Sequence, residues 1–336
     1  PRLSLIVTAH NEEDRIQKKL ANTLQIDYPT ELLEIIVASD FSPDATDRIV
    51  ESYSDKGVRL VRADERKGTE YAQLCAIRAS GGDILVFSDV ATRIPVDALH
   101  LLARHFVDAR IGALSSEDRF VSQNGRVVGE GAYIRYEMWL RRQESDRAGL
   151  VGLSGSFFAA RRAVCEDWDI QSPSDFNTAL NCAKQGLVAI TSPDVIGIYT
   201  DVEDPGLEYR RKIRTVIRGI TAIARHPEVL NPLRMGLFAF QVWSHKIMRW
   251  GVPWFMLAFA VLTLMLQGQG TIYTLALIAQ IGFYALALAG WLFVRLRDNT
   301  AVRIVYYFVQ TNVALAQATV LFLLGRRMTV WTPSRR

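Results

Sequence analysis

Cysteine is scarce in this chain: three in 336 residues, at positions 75, 165 and 182. Their spacings fit neither a CxxC pair nor a zinc site, and a small disulfide-stapled scaffold is excluded. All three read as small core residues of a reducing compartment. Acidic residues nearly vanish from the back of the chain. From Val229 to Arg336 there is one, Asp298, against ten lysines and arginines, so the front carries a net −5 and the back +9. Between Gly251 and Val294 no charged residue occurs at all for 44 positions. A basic segment alone would suggest nucleic acid, but a charge-free run of that length argues for a lipid bilayer, and no nucleic-acid partner is expected. Also missing are GxGxxG and GxxxxGK[ST], which weakens dehydrogenase and P-loop readings. There is no internal repeat and no low-complexity tract.

A bilayer-spanning helix needs about 20 apolar residues. The charge-free run holds two such spans, roughly 252–267 and 271–294, separated by Gln267-Gly268-Gln269-Gly270. A third apolar stretch, roughly 302–324, contains Arg303, Gln310, Asn312 and Gln317, and reads as a further span or an interfacial helix. Basic residues flank the set and mark cytoplasmic sides, so the tail is expected in the cytosol. Residues 244–254 mix basic residues with Trp250 and Trp254, the signature of a membrane interface. The chain begins at Pro1 directly on a strand, so an upstream segment is expected.

The front is a different kind of sequence. Apolar runs of β-branched and aliphatic residues alternate with helical patterns, which predicts an α/β fold with a mostly parallel sheet. Two runs end on an aspartate: IIVASD at Asp40 and ILVFSD at Asp89. Ligands of such sheets bind beyond the carboxyl ends of the strands, so both acids are candidate ligand contacts. The alternative is that each caps the next helix. Helices are expected at 14–24, 46–53, 69–80 and 131–142, and Pro95 is expected to open another. Ser154-Gly155-Ser156 reads as a turn into an apolar strand, and Asp175 as the start of a helix, where an acid often serves the helix terminus. Arg211, Arg214 and Arg218 recur at helical spacing, either as a solvated face or as a phosphate- or headgroup-binding one.

The order of these pieces resembles the membrane-bound family 2 glycosyltransferases, the group that includes cellulose and hyaluronan synthases. The resemblance covers nearly the whole chain and rests on IVTAHNEE, SDFSPDAT, ERKGTEYAQ, ILVFSDVAT, SGSFFAARR, SDF, EYRRKIR, SHKIMRW and WTPSRR. It implies a GT-A nucleotide-sugar-binding domain over residues 1–230, then interfacial and transmembrane helices over 231–336. Thr8, Asn11 and Glu12 match the first loop, which touches the nucleotide. Asp40 matches the acid on the base or ribose. Asp89 matches the first acid of the DxD motif, which holds Mg²⁺ or Mn²⁺ on the diphosphate. Gly155 sits in the turn near the acceptor, and Asp175 matches the catalytic base. Arg211 and Arg214 occupy the place of the QxxRW motif. Trp331, Thr332 and Arg335 resemble a segment that closes over the donor.

The chain departs from the family pattern at several points. The DxD reads Asp89-Val90-Ala91, without its second acid. The usual Gly-Lys is Gly68-Thr69, with Lys67 or Arg66 as the nearest substitute. Ser174 stands before Asp175, and the Gln and Trp of QxxRW are Arg211 and Thr215. What the resemblance implies is an inverting hexosyltransferase of the cell membrane, multi-pass, with its catalytic domain in the cytoplasm. A UDP-linked donor and a polysaccharide or lipid-linked acceptor are expected. Two or three spans are too few for a complete export channel, so upstream helices or partner subunits would complete one. A non-catalytic nucleotide-sugar-binding membrane protein of the same fold is the alternative, and retention of Asp175 speaks against it. A nucleotidyltransferase would want a glycine-rich basic first loop, where this chain has acidic IVTAHNEE.

Overall fold

The computed structural model describes residues 1–121, 132–200 and 205–328. They divide into two compact units: one contains residues 1–121, 132–200, 221–242 and 328, the other residues 205–220 and 243–327.

The first unit opens with β1 (Leu3–Ala9), α1 (Ile16–Thr23), β2 (Leu33–Ser39), α2 (Thr46–Glu51), β3 (Val58–Arg62), α3 (Thr69–Ala79) and β4 (Ile84–Asp89). It continues with α4 (Ala98–His105), β5 (Ile111–Val121), α5 (Ala132–Ser145), β6 (Phe157–Arg161), α6 (Ser174–Lys184) and β7 (Val188–Thr200). The seven strands form one sheet in the order β3-β2-β1-β4-β6-β5-β7. Pairing is parallel throughout, except that β6 runs antiparallel to both β4 and β5. The expected mostly parallel α/β architecture is therefore present.

The apolar runs make this sheet because its centre is covered on both faces. Successive residues of β1 go to opposite sides: Leu5 and Val7 join one buried cluster with Ile16, Leu20 and Leu99, while Ile6 joins another with Phe87, Phe158 and Trp168. Phe87 stacks on Phe158 at 4.8 Å and on Trp168 at 5.0 Å between centroids. Truncating a phenylalanine held this way costs about 3–5 kcal/mol. Gly82 sits where a Cβ would lie 2.6 Å from the Ser4 backbone nitrogen, so only glycine lets β4 begin alongside β1.

Most expected helices are present within a few residues. Pro95 is an exception. The helix starts at Ala98, because Pro95 to Asp97 form a turn closed by the Ala98 N–H on the Pro95 carbonyl. The long β5 and β7 pair with two register irregularities, and β7 tolerates Pro193 at that end of the sheet.

α7 (Pro205–Arg225) is the basic helix expected from the sequence. After it come the short α8 (Pro232–Met235) and α9 (Leu237–Val242). The second unit holds α10 (Met248–Met265), α11 (Thr271–Leu292) and α12 (Thr300–Leu323). Three helical stretches, Leu237–Met265, Thr271–Leu292 and Thr300–Leu323, are long and apolar enough to cross a membrane. At 1.5 Å per residue, 22 residues reach about 33 Å, the thickness of a hydrocarbon core. Large apolar side chains such as Phe259, Leu275 and Ile278 are more than half exposed, which water would penalise and lipid would not. Asn299 caps α12 by accepting the Ala301 and Val302 N–H groups.

Candidate active site

Strand register gathers the site. Thr8 of β1 is paired with Asp89 of β4, and Ala9 with Ser39 of β2, the residue before Asp40. Thr8, Asp40 and Asp89 thus stand together at the carboxyl edge of three adjacent parallel strands. They line one cleft with Glu12, Arg15, Thr69 and Ala91. The hydroxyl of Thr8 is buried and has no hydrogen-bond partner there. A buried polar atom left unpaired at the end of a strand is a place for a ligand to complete.

Asp40 is 3% exposed. Its Oδ1 accepts the backbone N–H groups of Lys67 (3.2 Å) and Gly68 (3.0 Å). Gly68 has φ +104°, a conformation suited to glycine, and it places that N–H at the start of α3. Burial raises the pKa of Asp40, opposed by the Gly68 N–H, His10, the Lys67 N–H and Arg66. His10 donates from Nδ1 to the Asp40 carbonyl at 2.7 Å, which makes it a buried strut of the loop. Asn11, at φ +53°, donates its N–H to Ser42 Oγ, and the Glu12 N–H binds Thr46 Oγ1 at 2.8 Å.

Asp89 is half-buried. Its main chain fixes the loop: the N–H donates to the Ser156 carbonyl at 3.0 Å, and its own carbonyl accepts the Thr92 N–H. Behind this loop lies a residue that sequence reasoning passed over. Lys19 of α1 is 3% exposed, and its ammonium donates to Ser88 Oγ (2.7 Å) and the Thr92 carbonyl (2.6 Å). Burial lowers its pKa to about 7, with the Asp89 charge acting in the opposite direction. Lys19 shares the inward stripe Ile16, Lys19, Leu20, Thr23. A lysine in an apolar i, i+3, i+4, i+7 pattern was the available signal.

Asp175 lies in the first turn of α6. It adjoins the Ser154–Ser156 turn: a Cβ built on Gly155 would sit 3.5 Å from Asp175 Oδ2. The turn that bonds the Asp89 backbone therefore also packs on Asp175. A second overlooked residue, the acid Asp118, anchors this turn. Asp118 Oδ1 accepts Ser154 Oγ–H at 2.6 Å and Tyr199 O–H at 3.1 Å. Burial, then the charge of Asp118, pushes the Tyr199 hydroxyl well above its ordinary pKa, so it stays a donor.

The Lys67 ammonium is exposed, pairs with Glu65 and lies 4.7 Å from the Tyr71 ring centroid, while its N–H serves Asp40. The hydrogen bond to Glu65 raises the Lys67 pKa. Arg211 and Arg214 belong to the second unit, exposed and half-buried respectively. Trp331, Thr332 and Arg335 lie outside the described residues.

Among the described residues no group of three or more His, Cys, Asp or Glu could cage a metal ion. The donor set still fits a magnesium-type ion, which takes one or two carboxylates and completes its shell with phosphates and water. Asp89 would supply the carboxylate, and the unpaired Thr8 hydroxyl opposite it would be a partner for a bound water.

Comparison with known proteins gives the geometry its context. The family model described as Glycosyl transferase family 2 matches residues 4–168. The beta-monoglucosyldiacylglycerol synthase of Synechocystis sp. is 27% identical over 184 residues, covering 52% of this chain and 38% of the synthase. The chain thus spans well under half the length of that relative. The mannosyltransferase PcManGT from Pyrobaculum calidifontis, solved with GDP-Man and Mn²⁺, aligns with a TM-score of 0.74 at 23% identity, covering 97% of this chain and 88% of PcManGT. Residues 1–349 of S. aureus TarS, solved with UDP-GlcNAc, align with a TM-score of 0.52 at 17% identity, covering 97% and 93%. Those two likenesses establish a shared GT-A fold. The segment that matches this family model contains both strand-end acids and their cleft, and over that segment the chain is similar to the family 2 glycosyltransferases.

Proposed function

We propose that this protein transfers a sugar, with inversion, from a nucleotide-diphosphate donor to a lipid-linked or polysaccharide acceptor at a membrane surface. One observation carries the reading. Asp40 and Asp89 line one cleft at the carboxyl edge of neighbouring strands, and the turn bonded to Asp89 packs on Asp175.

Thr8, Asn11, Glu12 and Asp40 face the nucleotide in this reading, and Asp89 faces its diphosphate. A divalent ion held by Asp89 would act as a Lewis acid on the leaving diphosphate. Asp175 takes the proton of the acceptor hydroxyl, a role worth about 10²–10⁴-fold in rate. One base and no covalent nucleophile imply single displacement. The glucolipid named by the Synechocystis relative supports a lipid acceptor. The neighbours carry GDP-Man and UDP-GlcNAc, so the base of the donor is left to experiment, with UDP favoured. The apolar helices anchor the protein as a multi-pass membrane enzyme with its catalytic unit in the cytoplasm.

The test is a set of radiolabelled UDP- and GDP-sugars given to membranes with Mg²⁺ or Mn²⁺, comparing the wild type with Asp175→Asn. Transfer should disappear in the variant while nucleotide binding stays. Full turnover by Asp175→Asn would defeat the assignment.

A further inference from the structure

We infer that Phe41, backed by Arg62, is the platform on which the donor's nucleobase stacks. The inference deepens the proposed function and rests on the cleft at Asp40 being the nucleotide site.

Among the described residues, two that are not glycine adopt positive φ: Asn11 and Phe41, both at +53°. Each follows a parallel strand at the edge where ligands bind. Asparagine enters the left-handed region readily, but for a bulky aromatic it is a true outlier. Such strain persists only where surrounding structure enforces it, and it concentrates at ligand sites. Enforcement is visible on both sides of Phe41. The Asp40 N–H is bonded to the Ala9 carbonyl, and the Ser42 N–H to Ser39 Oγ.

The strained backbone does not serve to bury the ring. Phe41 is 42% exposed, so core packing does not account for an aromatic here. Its partner is charged: the Arg62 guanidinium lies 4.5 Å from the ring centroid and is tethered to Asp47 at 3.2 Å. A tethered guanidinium over one side of a ring holds the ring in place and leaves the remainder open. A ring fixed before binding loses little freedom when a flat ligand settles on it. Phe41 is also the immediate neighbour of Asp40, which lines the cleft. Every nucleobase has a π face, so such a platform accepts uracil and guanine alike.

The test measures binding of UDP, GDP and inorganic pyrophosphate, each with Mg²⁺, to the detergent-solubilised full chain. Phe41→Gly removes the ring and relieves the backbone. Phe41→Trp keeps a ring. For Phe41→Gly, UDP and GDP should bind about ten-fold more weakly, the size of one base–aromatic stack. Pyrophosphate affinity should not move, and the melting temperature should hold or rise, because glycine accepts this φ. Phe41→Trp should bind both nucleotides within about two-fold of wild type, since stacking tolerates a larger ring. Unchanged UDP and GDP affinity in Phe41→Gly overturns the inference. So does a loss shared equally by pyrophosphate, which would mean that Phe41 only shapes the loop. If the wild type binds neither UDP nor GDP, the nucleotide-site reading itself fails, and the inference with it.

Discussion

Asp40 and Asp89 end two strands of the same sheet with nearly the same sequence, yet their surroundings are opposite. Asp40 is sunk into the protein and spends Oδ1 on two backbone N–H groups. Asp89 is half-buried, and the bonds that hold its loop come from its main chain and from Lys19 behind it. The first acid organises its own loop as well as facing the cleft. The second is braced from beneath. One apolar-strand-plus-Asp pattern thus yields two different electrostatic environments, and substitutions should separate them.

The largest effect expected is on catalysis at the Asp89 side. Asp89→Ala should lower transfer by about 10²-fold or more, on the scale of lost electrostatic stabilisation of a leaving group. It should also abolish Mn²⁺ binding in the presence of UDP or GDP, as followed by electron paramagnetic resonance. A variant that still binds the ion and turns over would place the metal elsewhere. Asp40→Ala should act through stability instead. It leaves the Lys67 and Gly68 N–H groups without their acceptor, at about 1–3 kcal/mol, and thermal denaturation in detergent reads this directly.

Smaller and more diagnostic is the pH dependence of Lys19. Its folded pKa, about 7, lies below that of an unfolded lysine. Between those values the unfolded chain holds a proton that the folded one has released, so stability rises with pH across that window. The slope is at most about 1.4 kcal/mol per pH unit. Wild type should therefore gain melting temperature from pH 7 to pH 9 relative to Lys19→Met, and identical pH profiles would show that the ammonium is not buried. Asp40 works with the opposite sign. Its folded pKa is raised, so its contribution falls as pH climbs through the carboxylate range. Wild type should lose stability relative to Asp40→Asn as the pH rises above the ordinary carboxylate pKa of about 4 in the same assay.

The sequence made the strand ends legible, because short continuous apolar runs bounded by turn residues and alternating with helical patterns are the mark of buried parallel strands, whose ends face the ligand edge. The Ser154–Ser156 turn and the helix start at Asp175 were legible for similar local reasons. The bond network beneath them was not. Ser154 meets Asp118 across 36 positions and Tyr199 meets it across 81, and no local pattern announces such pairings. The strands supplying them, β5 and β7, are rich in polar residues and broken in register, so their alternation was hidden. Lys19 was obscured by its neighbour Lys18: two adjacent lysines suggest a solvated face, although only Lys18 is exposed. The arginines of α7 were legible as a helical face, but their relation to the cleft is a matter of assembly that periodicity does not carry.

The reversed β6 has a further consequence. In a wholly parallel sheet, every loop at the ligand edge leaves a strand. Here one loop arrives instead: the segment that enters β6 meets the segment that exits β4, where the Asp89 N–H bonds the Ser156 carbonyl. One stretch of that edge is thus threaded in the contrary sense to the rest, so it can be lengthened or exchanged without rewinding the nucleotide half.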